Sequence, residues 1–163
     1  MPESIAKKYL MEKIAAISCL SNSHPKCSLS VLTLIYCGMD QFAWLNTHEK
    51  KHGLPEFKTW VEKYLLIEPG LDCTAEELWA ARNGVVHMGT SESVNTRNGV
   101  TKLGYSYGPE KAKSHIDGHK IISIDLLMQA FCVASMNFIA DLESDISKRE
   151  VAETKIKQVL IVQ

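Results

Sequence analysis

Ile5, Tyr9, Leu10, Ile14, Ile17 and Leu20 recur every three or four positions, the spacing that lays one apolar face along a helix. The run stops at Ser21-Asn22-Ser23-His24-Pro25, where side-chain hydrogen bonding and proline end helices, so a first helix is predicted over about 3–20. From Ser28 or Ser30 onward, Leu32, Ile35, Tyr36, Met39, Phe42 and Leu45 mark a second helix that is largely apolar and therefore central. Its one charge is Asp40. A charged break from His48 to Gly53 leads to Leu54-Pro55, after which Phe57, Trp60, Val61 and Tyr64 predict a short third helix before Pro69-Gly70. Thr74 with Glu77 three positions later forms a capping-box pair, and Gly89 supplies a C-terminal stop, which bounds a fourth helix at about 75–88.

Residues 90–120 change character. Asn98-Gly99 is a hairpin signal, and Leu103, Tyr105 and Tyr107 alternate as in a short strand. A long helix follows from about Ile124 to Asp145, with Leu127, Ala130, Phe131, Ala134, Phe138, Ile139 and Leu142 on its inner face. The tail is amphipathic to Lys157 and ends Val159-Leu160-Ile161-Val162, a segment suited to docking on this core or on a partner. These elements predict one all-α domain over 1–163, an up-and-down bundle of four to five helices with a small β-hairpin or ordered loop inserted around 90–120.

Composition narrows this further. A chain of 163 residues, 45% apolar and 23% charged, can bury one proper core. A net charge of -1 and a pI near 6.6 argue against coating nucleic acid by bulk charge. A local basic patch remains: from Arg82 to Lys120 six basic residues (Arg82, Arg97, Lys102, Lys111, Lys113, Lys120) face three acidic ones. The five cysteines are scattered and never spaced as C-x-x-C, which fits a reducing compartment. The charged, amphipathic N-terminus is no signal peptide, and the longest uncharged run, Leu126 to Ala140, is shorter than the roughly 20 residues a span needs. The expectation is a cytoplasmic protein without a membrane partner.

The fourth helix carries the best chemistry. Arg82, Asn83 and His87 lie on its last turns; an arginine holds a phosphate through its planar fork, and a histidine moves protons near neutral pH. Asn83 and His87 share a face, whereas Arg82 sits roughly 140° around and about 7.5 Å along the axis from His87. One copy is thus expected to splay its polar groups. Packing of this helix against its twin across a two-fold axis would bring two Arg and two His to one cleft, a reason to expect a homodimer.

Arg82-Asn83-x-x-Val86-His87, late on a helix of an all-α chain, resembles the R-x4-6-H motif of the HEPN (higher eukaryotes and prokaryotes nucleotide-binding) superfamily. The resemblance implies a dimeric, metal-independent endoribonuclease of the toxin, defence or RNA-processing kind, without cofactor and, for a toxin, with a cognate antitoxin as partner. It equally covers an inactive relative that only binds nucleotides or RNA. Carried over, Arg82 would hold the scissile phosphate and His87 would act as general base or acid. Asn83 would orient the histidine or the substrate, and the RNA's 2′-OH would attack, leaving a 2′,3′-cyclic phosphate and a 5′-hydroxyl. Family members often carry an acidic residue facing the motif, a place that Asp40 would fill by orienting Arg82 or His87, or by pairing with Arg82 structurally. Toxin members silenced by nucleotidylation often have tyrosine two residues after the histidine; Gly89 stands there, which speaks against such control. Arg97, Lys102, Tyr105, Lys111 and Lys113 are the candidate RNA contacts, with Tyr105 and Tyr107 weighed more heavily as packing residues.

A structural role competes with catalysis at this helix end: Arg82 can pair with acidic side chains while His87 complements the helix dipole. His48-Glu49-Lys50-Lys51-His52 matches H-E-x-x-H, but two lysines repel a dication and Gly53-Leu54-Pro55 ends any helix at once, so a solvated loop is expected and no metal. His115 and His119 flank Asp117-Gly118, which reads as a turn.

Overall fold

A computed structural model describes residues 4–23, 28–48, 53–67, 70–88, 99–108 and 115–159. Helix α1 spans Ile5–Ser21, and its Ser4 cap accepts a hydrogen bond from the Lys7 amide at 3.1 Å. Helix α2 spans Ser28–Leu45, and α3 spans Leu54–Trp60, opened by Pro55 and by the Gly53 amide donating to Glu56 at 2.7 Å. α3 runs directly into a π-helical turn, Val61–Leu65. Helix α4 spans Ala75–Met88. Strands β1 (Lys102–Ser106), β2 (His115–Ile116) and β3 (His119–Ser123) follow, then α5 (Ile124–Ser144) and α6 (Ile146–Val159).

The chain is therefore mainly helical with a small sheet. Six helices are described where the sequence reading expects four to five, because the tail forms its own helix. Asp145 adopts an extended conformation that ends α5, and its carboxylate then accepts from the Lys148 amide at 3.1 Å, starting α6.

The sheet also departs from expectation. Its order is β1-β3-β2; β2 and β3 form the antiparallel hairpin, turning through Asp117 and Gly118 at φ 47° and 76°. Asn98 lies outside the described residues, and β1, which follows it, runs parallel to β3 with Tyr105 opposite Ile122. The alternation of Leu103, Tyr105 and Tyr107 thus marks a strand whose partner is distant in sequence.

α2 packs against α1, α3, α4, α5 and α6. Its Phe42 stacks on Phe131 and Phe138 of α5, with centroids 5.5 and 5.9 Å away, and meets Trp60 edge-on at 5.7 Å. At Gly38 α2 has no room for a side chain beside α5: a β-carbon there would lie 2.5 Å from the Phe131 ring. By length and composition α5 is the one helix among the described residues that could cross a membrane, although the sequence reading counted its uncharged run as too short. Here Leu127, Phe131, Phe138 and Leu142 are buried in the core.

Candidate functional site

The helix that carries Arg82, Asn83 and His87 is held firmly at its start. The Thr74 amide donates to Glu77 Oε2 at 2.9 Å and the Glu77 amide to Thr74 Oγ1 at 3.1 Å, completing the capping box read from the sequence. The same Glu77 oxygen takes a hydrogen bond from Lys120 Nζ at 2.9 Å, with both side chains largely buried. One carboxylate thus starts α4 and ties it to β3. Neighbouring Cys73 is a poor nucleophile, because burial, reinforced by Glu77, pushes its thiol up to about 12.

At the other end of α4, Arg82 gathers the cluster. Its Nη2 is paired with the Asp40 carboxylate of α2, and its Nη1 donates to Asn83 Oδ1 at 2.8 Å. Nη1 also stands 2.9 Å from His87 Nε2. The Asp40 and Arg82 side chains are 14% and 16% exposed, so this is a mostly desolvated pair, while His87 is exposed. The guanidinium carbon lies 5.2 Å from the centroid of the Trp79 ring, and Nε is buried with no hydrogen-bond partner among the described residues.

This arrangement corrects one expectation. Arg82, Asn83 and His87 do not splay in a single copy; the long arginine side chain spans the turn to meet His87 directly. Asp40, singled out as the only charge in the second helix, is the residue that grips the guanidinium. A neutral imidazole must present a lone pair at Nε2 to accept from Arg82, which places its proton on Nδ1.

Trp79 was missed, although its position three residues before Arg82 on the same helix is a readable signal. Lys120 was counted only in the basic patch; its partner Glu77 shows that it serves the fold. Of the candidate RNA contacts, Arg97, Lys111 and Lys113 lie outside the described residues, and Lys102 opens β1. Tyr105 faces inward: its hydroxyl is 2.6 Å from that of Tyr36, the rings meet edge-on at 6.5 Å, and burial holds both phenols well above their ordinary range. That is the packing role, and base stacking by Tyr105 is set aside. Tyr107 is exposed and bonded to Ser28.

His48 is exposed, and Glu49 to His52 of the H-E-x-x-H string lie outside the described residues. His119 is bonded through Nδ1 to the Asp117 carbonyl at 3.0 Å. Among the described residues, no group of three or more His, Cys, Asp or Glu side chains is arranged to hold a metal ion. A cavity of about 590 Å³ lies at the far end of α2, lined by Trp44, His48, Glu150 and Lys155. It is remote in the chain from Arg82, and Lys155 there serves the helix end, donating to the carbonyls of Trp44 (2.7 Å) and Thr47. No protein-family model, curated protein or solved structure matches the chain.

Proposed function

We propose that this chain is a HEPN-like, up-and-down helical bundle acting as a cytoplasmic, metal-independent endoribonuclease. The observation that carries the reading is the contact between Arg82 Nη1 and His87 Nε2, made while Asp40 and Asn83 fix the same guanidinium. A phosphate oxygen approaching this end of α4 meets a preorganised cation beside an exposed proton acceptor, which suits a reaction whose transition state gathers negative charge on phosphorus oxygens. Arg82 Nη1 turns from His87 to a phosphate oxygen, which frees the Nε2 lone pair, and the 2′-oxygen attacks phosphorus as its proton passes to that nitrogen. The bond to the 5′-oxygen breaks, that oxygen takes a proton, and the products are a 2′,3′-cyclic phosphate and a 5′-hydroxyl.

A single copy already assembles base and cation, so a homodimer is not needed to bring them together. It is still part of the proposal, because attack and departure occur on opposite sides of phosphorus and His87 from a second copy is suited to protonate the leaving oxygen. If the protein is a toxin, an antitoxin covering this exposed histidine would silence it.

A second reading has its own support. The guanidinium is mostly buried and already engaged by three side chains, as expected of a structural anchor in a module that binds RNA or a nucleotide without cutting it. Incubation of mixed-sequence single-stranded RNA in excess EDTA separates the two. Cleavage by wild type but not by H87A, with cyclic-phosphate ends, is the expected result. Binding that R82A and H87A weaken, with no cleavage by any form, would establish the binding module instead.

A further inference from the structure

Beginning at the residue after Asp40, α2 forms with α1 a groove that the ribonuclease chemistry does not use. α1 and α2 lie side by side: Tyr9 Oη donates to Gln41 Oε1 at 3.2 Å, and Gln41 directly follows Asp40 in the chain. One helical turn before both of these stands Cys37. Between the two helices is a cavity of about 300 Å³, whose lining includes Tyr9, Glu12, Lys13, Ile17, Leu34 and Gln41. Lys13 Nζ lies 4.9 Å from the centroid of the Tyr9 ring.

We propose that this groove holds the nucleotide next to the scissile phosphate of a single-stranded RNA, its base against Tyr9 and its phosphate on Lys13. The inference rests on the RNA-directed reading of the Arg82 site. Three features carry it. The cavity has the size of the smaller ligand sites, with an apolar floor from Ile17 and Leu34 for a flat ring. Its wall offers one aromatic face for stacking and two polar groups, Gln41 and Glu12, for the edge of a base. Its cation, Lys13, stands over the Tyr9 ring, 4.9 Å from the centroid. Burial raises the Cys37 thiol; the fields of Arg82 and Lys13 both reach it and oppose that rise, while Asp40 adds to it. Both cations thus lie within electrostatic reach of one residue of α2. Lys13 gives up a half-buried ring contact when it turns to a phosphate.

The test is binding of a fluorescein-labelled, mixed-sequence RNA octamer with 2′-O-methyl groups, which lacks the attacking hydroxyl, measured by anisotropy over a range of salt. K13Q is expected to weaken binding several-fold and to lower the slope of log Kd against log salt by about 0.7, the loss of one phosphate contact. L34W, which fills the groove, should also weaken binding but leave the salt slope unchanged; K157Q, on the exposed face of α6, should do neither. If K13Q and L34W bind like wild type while R82A does not, the groove proposal falls and the Arg82 site stands. If the wild-type protein fails to bind the octamer at any salt, the RNA-directed reading falls and this inference falls with it.

Discussion

Arg82 and His87 touch through Nη1 and Nε2 at 2.9 Å, although their side chains leave α4 on different faces. The contact exists because Asp40, one helix away, draws the guanidinium across the turn. Removing either member of the Asp40–Arg82 pair leaves a largely desolvated charge without its partner, a loss on the order of 3 kcal/mol. Urea denaturation should therefore show D40A and R82A as strongly destabilised and the double variant as clearly less so than their sum. H87A, at an exposed position, should stay within about 0.5 kcal/mol of wild type. Additive losses from D40A and R82A would show that the pair is not coupled.

What the sequence made legible followed from local chemistry. Thr74 and Glu77 announced the start of α4, Pro55 that of α3, and the solitary charge of α2 pointed to Asp40. What it hid depended on reach and on distant pairing. A helical wheel places Cα atoms, so it separated Arg82 from His87 and could not anticipate a side chain long enough to close the gap. The parallel pairing of β1 with β3 joins segments with a strand between them, and the alternation of Leu103, Tyr105 and Tyr107 carries no information about the partner. The π-helical turn after Trp60, which lets Val61, Tyr64 and Leu65 all face inward, likewise depends on packing against α5.

That turn carries a pH-sensitive contact. Asp141 Oδ2 accepts from Lys63 Nζ at 2.6 Å and from Tyr64 Oη at 2.8 Å, and these bonds, Lys63 first, hold its carboxyl below the usual range. A depressed carboxyl adds stability that is present above its unfolded value near 3.8 and disappears as pH falls through the folded value. The side chains are 47% and 40% exposed, so the effect should be below about 1 kcal/mol and smaller in high salt. Wild type should be more stable than D141N at pH 7, and the difference should close by about pH 2. A difference independent of pH would assign it to something other than the charge.

The α2–α5 crossing should be intolerant of even one methyl group. A β-carbon on Gly38 would stand 2.5 Å from the Phe131 ring, which is itself stacked on Phe42 and fully buried. Overpacking of this kind costs about 1–3 kcal/mol, more than the gain alanine brings to a helix interior. G38A should lower the unfolding midpoint accordingly, and G38A combined with F131L should recover part of the loss. A neutral or stabilising G38A would mean that the helices separate freely.

Lys155 offers the opposite case, a charge that the fold needs inside. Only 8% exposed, it reaches from α6 to the C-terminal end of α2, donating to Trp44 O in the last turn at 2.7 Å and to Thr47 O just beyond it, with its ammonium 5.2 Å from the Trp44 ring centroid. A helix C-terminus concentrates carbonyl oxygens and partial negative charge, so an ammonium there satisfies acceptors that packing has removed from water. K155M keeps most of the volume but takes the ammonium away from both carbonyls, a loss of about 2 kcal/mol. K155R retains the charge but presents a wider head group and should be intermediate. Hydrogen exchange gives the more specific readout: in K155M the amides of the last turn of α2 and of α6 should exchange faster, while those of α4 keep their protection. Uniform loss of protection across all helices would mean that Lys155 supports global stability alone and not the docking of α6.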